Sequence, residues 1–279
     1  MHFMSRTKIS LYDQVFSHTF NAVGYYTASN YDRPEKVEWV KSEDLDTCVF
    51  TESNFDEAQN INCKNKIAWI VESKEIHPWG YEKILQLENN FDYILTHDKD
   101  LVNRSDKYHQ VYVGSSRVER EDIDKNFTKN KLVSIIASHK RMTYGHVFRH
   151  EIIQNITGVD VWGDGYKYFT SKREPLSEYM YSIAVMNARY DYYFTEILID
   201  CFMYKVIPIF YGCPNIGDIF DIRGMYTFET INELKKILDV INENDYNDKM
   251  EFINKNYEIA KNKFMITDDI ILDKISEIV

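Results

Sequence analysis

Apolar residues recur along the chain in two alternating patterns, short runs rich in Val, Ile, Phe and Tyr and longer stretches with helical spacing. That alternation predicts layered α/β structure. In the first half, strands are expected at 8–12, 37–40, 47–51, 66–72, 91–96 and 109–113. Helices fall at 81–89 and 98–103, and Pro78 is placed to begin one. Residues 114–130 are polar and nearly free of core residues, and read as a linker. Beyond them the alternation restarts with strand 131–137, helix 145–156, strand 159–162, a helix near 175–180 and strand 182–187. Helix 195–204, strand 206–211, a short strand 225–228, helix 231–242 and further helix complete the chain. Two α/β halves joined at 114–130 predict a cleft between them. Ligands of such sheets bind outside the carboxyl ends of the strands.

With 279 residues, 44% hydrophobic and 28% charged, the chain can bury a large core in two domains. The 33 basic and 44 acidic side chains leave a net charge of -11, which argues against a nucleic-acid partner or an anionic membrane. The 10 Gly and 5 Pro exclude long flexible linkers. Cys48, Cys63, Cys201 and Cys213 are far apart in sequence and read as free thiols in a reducing compartment. The N-terminus has no apolar signal-peptide core and no stretch is long enough to span a membrane, so a cytoplasmic location is expected.

Against this acidic average, His139, Lys140, Arg141, His146, Arg149 and His150 crowd one strand-to-helix turn. Such a turn offers backbone N–H groups and the positive end of a helix, which suit a phosphate. Arg149 could add a planar fork to a diphosphate. A solvated basic patch is the alternative. No P-loop or dinucleotide fingerprint is present. Further on, Thr195 is placed to cap an apolar helix that starts at Glu196. This carboxylate either complements the helix dipole or accepts sugar hydroxyls of a nucleotide. The turn Gly212-Cys-Pro-Asn-Ile-Gly217 after a buried strand lets backbone approach a ligand, or is a simple loop.

The run Tyr193-Phe-Thr-Glu-Ile-Leu-Ile-Asp-Cys-Phe-Met-Tyr-Lys-Val-Ile-Pro-Ile-Phe-Tyr-Gly-Cys-Pro-Asn-Ile-Gly217 resembles the signature of the alpha-1,3/4-fucosyltransferases, glycosyltransferase family ten. Asn187 matches the asparagine of that family's Glu-Asn pair, with Met186 in place of the glutamate. Ser138 and Arg149 resemble its serine after a strand and its phosphate-contacting arginine. The likeness covers about 131–240. It implies two Rossmann-like domains facing a cleft (GT-B type): an acceptor-side domain over 1–120 and a nucleotide-sugar-binding domain over 131–265. A helix over 266–279 is expected to pack back on the first domain.

The resemblance further implies an inverting, metal-independent glycosyltransferase with no required cofactor, which moves a sugar from a nucleotide donor, GDP-fucose first, to a glycan hydroxyl. Its donor-binding residues would be Ser138, Lys140, Arg141, Arg149, Asn187 and Glu196. The family's lysine after Thr-Glu is Ile197 here. A cation must then come from Lys140, Arg141, Lys167 or Arg189, or else the donor or the activity has changed. A non-catalytic sugar- or nucleotide-binding protein on a degenerate transferase scaffold is the alternative.

In the first half, Glu72 ends the strand expected over 66–72, where a carboxylate is either a solvated strand end or a base. The fucosyltransferases carry a base at a similar strand end ahead of a Phe-Asp-Tyr strand, matched here by Phe91-Asp-Tyr93, which makes Glu72 the implied catalytic base. Glu75, His77 and Trp79 would line the acceptor site, Trp79 by stacking on a sugar ring. His18 is a weaker candidate. A metal-dependent rival would need paired carboxylates, and its one candidate, Asp122-Ile-Asp124, reads as a solvated face of the linker.

Overall fold

The computed structural model describes residues 6–13, 34–40, 42 and 44–279; His18 lies outside them. The chain forms two compact units, one of residues 1–113 with 266–279 and one of residues 114–265.

The first unit holds a parallel sheet of β1 (Thr7–Tyr12), β2 (Val37–Val40), β3 (Thr47–Thr51), β4 (Asn65–Trp69), β5 (Tyr93–Thr96) and β6 (Tyr108–Gln110). Their spatial order is β2-β1-β3-β4-β5-β6. The inner strands are apolar on both faces, as a covered parallel sheet requires. Cys48, Phe50, Ala68 and Ile94 point to a cluster completed by Ile84 of α1 (Pro78–Leu87) and Leu101 of α2 (Lys99–Val102). Val49, Ile67, Trp69 and Leu95 point the other way and meet Ile271, Leu272 and Ile275. Those three belong to α9 (Thr267–Ile278). Asp269 fastens this helix by accepting the backbone N–H groups of Glu35 and Lys36 at 2.9 Å each, and Asp268 accepts Trp39 Nε1 at 2.6 Å.

The second unit holds β7 (Lys131–Ile136), β8 (Asp160–Trp162), β9 (Tyr179–Val185), β10 (Ile207–Tyr211) and β11 (Tyr226–Thr227), all parallel, in the order β11-β10-β9-β7-β8. Around them run α3 (Tyr144–Asn155), α4 (Arg173–Leu176), α5 (Glu196–Met203), α6 (Ile231–Val240), α7 (Glu243–Asp248) and α8 (Met250–Lys263). The helix expected near 175–180 is a single turn that ends before Ser177. The strand begins early, at Tyr179, because Tyr179 and Tyr181 are buried and pair with Lys131 and Val133 of β7.

The segment 114–130 is not a solvated linker. Gly114 sits so close to Phe194 that a Cβ there would lie 2.6 Å from its ring. Asp122 is 1% exposed and accepts hydrogen bonds from Arg173 (2.8 Å to Nε), Tyr204 (2.9 Å) and Lys125 (3.2 Å). Burial opposes its ionisation, but Arg173 and its other donors hold its pKa below the usual carboxylate range. Asp124 accepts from Tyr257 and Lys261. The polar residues of this stretch are charged partners for unit two, a role that polarity alone does not distinguish from solvation.

Candidate functional site

In each sheet the chain reverses its direction of growth next to the first strand of the unit. The carboxyl ends flanking that reversal are the favoured ligand position of doubly wound folds. In the second unit the reversal lies between β7 and β9, which run out into Ala137-Ser138 and Met186-Asn187. Arg149, on α3, is 7% exposed and reaches the end of β9. It donates from Nε (2.9 Å) and Nη2 (2.5 Å) to Val185 O, and from Nη2 to Asn187 Oδ1 at 2.7 Å. Burial lowers its pKa to about 10, which leaves it charged at neutral pH. Those bonds engage Nε and Nη2.

The start of α3 lies directly on the end of β9. A Cβ on Gly145 would fall 1.9 Å from Met186 O, and the Gly145 N–H donates to Asn187 O at 3.1 Å. Thr143 caps the helix by accepting from His146 N at 3.4 Å. Two of the N–H groups expected to be free for phosphate are therefore used within the protein. The basic turn itself divides. His139, Lys140 and Arg141 are exposed, whereas His146, Arg149 and His150 are turned inward. Burial, with the positive charges of Arg149 and Lys140 beside it, pushes His146 down to about 4. His150 is held between Tyr166 OH (2.9 Å) and Lys140 O (3.2 Å). Ser138 Oγ accepts Lys140 N at 3.4 Å within the turn.

Glu196 opens α5. Thr195 occupies the cap position, but its hydroxyl makes no capping bond and lies 3.9 Å from Met186 Sδ. Glu196 Oε1 is 3.2 Å from Arg117 Nη2. Burial opposes its ionisation, while Arg117 and then Lys172 more than offset that, so its pKa falls below the ordinary value. One turn on, Asp200 is 1% exposed, accepts Arg117 N at 2.7 Å and Ser116 Oγ at 3.1 Å, and lies 3.0 Å from Lys172 Nζ. The cations paired with Glu196 and Asp200 are thus Arg117 and Lys172, neither of them among the residues expected from the sequence. Lys167 instead stands over the Trp162 ring at 3.8 Å, and Arg189 pairs with Glu229. The Gly212–Gly217 turn serves to hold its neighbours in place. Its Asn215 Oδ1 accepts the N–H of Tyr192, an aromatic residue held at φ 61°.

In the first unit the reversal lies between β1 and β3, where Thr51 Oγ1 donates to Asp13 Oδ1 at 2.9 Å. Glu52, the next residue, is 2% exposed, and burial raises its pKa to about 8. Its Oε1 accepts the N–H groups of Val71 (2.5 Å) and Glu72 (2.8 Å). Glu72 is half-buried in the turn after β4, and its carbonyl accepts Tyr81 OH at 3.0 Å. That hydroxyl is 3.3 Å from Nε2 of His97, whose burial lowers its pKa to about 3. His77 precedes α1 and Trp79 lies in its first turn, 42% exposed, with ring centroids 5.0 Å apart. Glu75 is exposed. Glu52 is not among the residues expected from the sequence, although it meets the strand-end criterion that singles out Glu72; Arg117 has no comparable signal. Among the described residues no group of three or more His, Cys, Asp or Glu is arranged to hold a metal ion.

No protein-family model matches the sequence, and no curated protein matches it. Solved structures do. An alpha1,3-fucosyltransferase superposes with a TM-score of 0.55 at 15% identity, over 94% of this chain and 93% of that one. The alpha1,3-fucosyltransferase solved with GDP-fucose gives 0.54 at 15%, over 96% and 94%. TarM gives 0.56 at 15%, over 84% of this chain and 55% of TarM. The fold is of the GT-B type. At this identity the likeness concerns architecture, two α/β units each built on a parallel sheet. No described helix is long and apolar enough to cross a membrane.

Proposed function

We propose that the chain is an inverting, metal-independent glycosyltransferase that moves a sugar, fucose in the first instance, from a nucleoside-diphosphate donor to a glycan hydroxyl. The observation that carries this reading is the Arg149–Asn187 bond at the reversal between β7 and β9. A buried cation bonded to a side-chain amide at the end of β9, next to the reversal, supports a donor site there. Asn187 and Glu196 hold the nucleotide ribose. Arg149, with Ser138, Lys140 and Arg141 of the adjoining turn, meets the diphosphate.

In the reaction Glu72 takes the proton from the acceptor hydroxyl as that oxygen attacks the anomeric carbon. The bond from that carbon to the diphosphate oxygen breaks, and its electron pair leaves with the nucleoside diphosphate. The donor-side cations stabilise the departing charge. His77 and Trp79 orient the acceptor, Trp79 by stacking on a sugar ring. The test is release of nucleoside diphosphate from a panel of sugar nucleotides, with and without EDTA. Glu72→Ala and Arg149→Ala should each abolish it; wild-type rates in both would reject the assignment.

A second reading is a sugar- or nucleotide-binding protein that no longer transfers. It is favoured by Ile197 and by the commitment of two Arg149 nitrogens to protein acceptors. Donor binding without turnover across many acceptors would select it.

A further inference from the structure

Glu52 is buried at the end of β3, and its carboxyl reaches out of its own strand to the turn that follows β4. One oxygen, Oε1, accepts both the Val71 and the Glu72 N–H. On its other side Glu52 meets Gly80 of α1, where a Cβ would lie 3.0 Å from Glu52 Cγ, so glycine lets the helix sit on the carboxyl stem. The same helix supplies Tyr81, whose hydroxyl donates to the carbonyl of Glu72. Residue 72 is therefore held at its N–H by Glu52 and at its C=O by Tyr81.

Amides of a half-buried turn can be satisfied by water, whereas removing a carboxyl from water is costly. Burial holds Glu52 as a neutral acid at pH 7, which avoids a second negative charge beside Glu72. We propose that Glu52 is a positioning residue: by clamping the Val71 and Glu72 amides it fixes the direction from which the Glu72 carboxylate meets the acceptor hydroxyl. This rests on Glu72 being the base, as under the proposed function.

Nucleoside-diphosphate release kinetics and amide hydrogen exchange over residues 70–73 test it together, on wild type, Glu52→Ala and Glu52→Gln. In Glu52→Ala, exchange over 70–73 should accelerate, and kcat should fall about 10- to 100-fold with the donor KM little changed, the size expected of a misaimed catalytic group. Glu52→Gln keeps an oxygen that accepts both N–H groups, and should recover most of the lost rate and protection. Three results would overturn the proposal: wild-type kcat in Glu52→Ala, unchanged exchange in that variant, or no recovery in Glu52→Gln. Should Glu52→Ala fail to fold, Glu52→Asp, one methylene too short to reach both amides, takes its place with the same expected losses. A wild-type protein that turns over no donor would instead remove the transferase reading, and this role with it.

Discussion

Arg149 Nη2 and Asn187 Oδ1 lie 2.7 Å apart, and the same guanidinium holds Val185 O. The two residues proposed for the donor site therefore act as one unit, fastened to the end of β9. Removing Arg149 strands a backbone carbonyl and a side-chain amide in a buried place. Arg149→Ala should thus cost about 3 kcal/mol of stability and Asn187→Ala about 1. The double variant should lose less than the sum, with a coupling of about 1–2 kcal/mol. Urea unfolding of the four proteins measures this, and strict additivity would mean that the bond contributes nothing.

Glu52 makes stability depend on pH in an unusual direction. Its folded-state pKa is raised to about 8 from an ordinary carboxyl value. The folded state therefore holds a proton that the unfolded chain releases above about pH 4.3. Stability from this group is full below that value, falls as pH rises towards 8, and is level beyond. The integrated loss is on the order of 5 kcal/mol. Glu52→Gln cannot ionise, so the stability of the variant relative to wild type should grow across that window and then plateau. Thermal melts of both proteins from pH 5 to 9 supply the difference; a constant offset would contradict a buried, titrating Glu52.

Arg117 should govern the ionisation of Glu196. With Arg117 in place, burial of Glu196 is outweighed and its pKa is lowered. Arg117→Ala leaves Lys172 as the principal opposing charge, so the pKa of Glu196 should rise. Under the proposed function, a protonated Glu196 has lost an acceptor for the ribose hydroxyls. Calorimetric titration of GDP should then show affinity in the variant weakening as pH falls from 7.5 to 5.5, with wild type affected less. Parallel pH profiles would separate Arg117 from Glu196.

The strands were legible in the sequence because each inner one carries its own hydrophobic signature, Cys48-Val-Phe50 and Ile207-Pro-Ile-Phe-Tyr211 among them. Glu196 was legible as a candidate because it opens a predicted helix, and Ser138 and Asn187 because they match positions of the fucosyltransferase signature. What they touch was not. Glu52 makes its bonds to residues 19 and 20 positions away, and Arg117 pairs with one 79 positions away, so no local pattern shows what either touches. The segment around Arg117 misled for a physical reason: a charged residue destined for a buried ion pair has the same composition as one destined for water. His146 and His150 misled in the opposite sense, counted with an exposed basic patch yet turned inward to Thr143 and Tyr166.

Gly145 brings the donor-side helix into contact with the strand end, and a single methyl group should separate them. A Cβ at this position would meet Met186 O at 1.9 Å and Asn187 O at 2.6 Å, both backbone atoms that no side-chain rotation can move. Gly145→Ala must therefore displace α3 or the end of β9, at a cost of about 1–3 kcal/mol. The higher helix propensity of alanine, worth about 1 kcal/mol, offsets part of this. The shift would also carry Arg149 away from Val185 and Asn187, so GDP affinity should fall together with stability. Gly158→Ala is the control: space there is open, but φ is 77°, so it should lose about 1–2 kcal/mol for left-handed backbone and leave GDP affinity alone. Wild-type stability and GDP affinity in Gly145→Ala would mean that the contact between α3 and β9 does not shape the donor site.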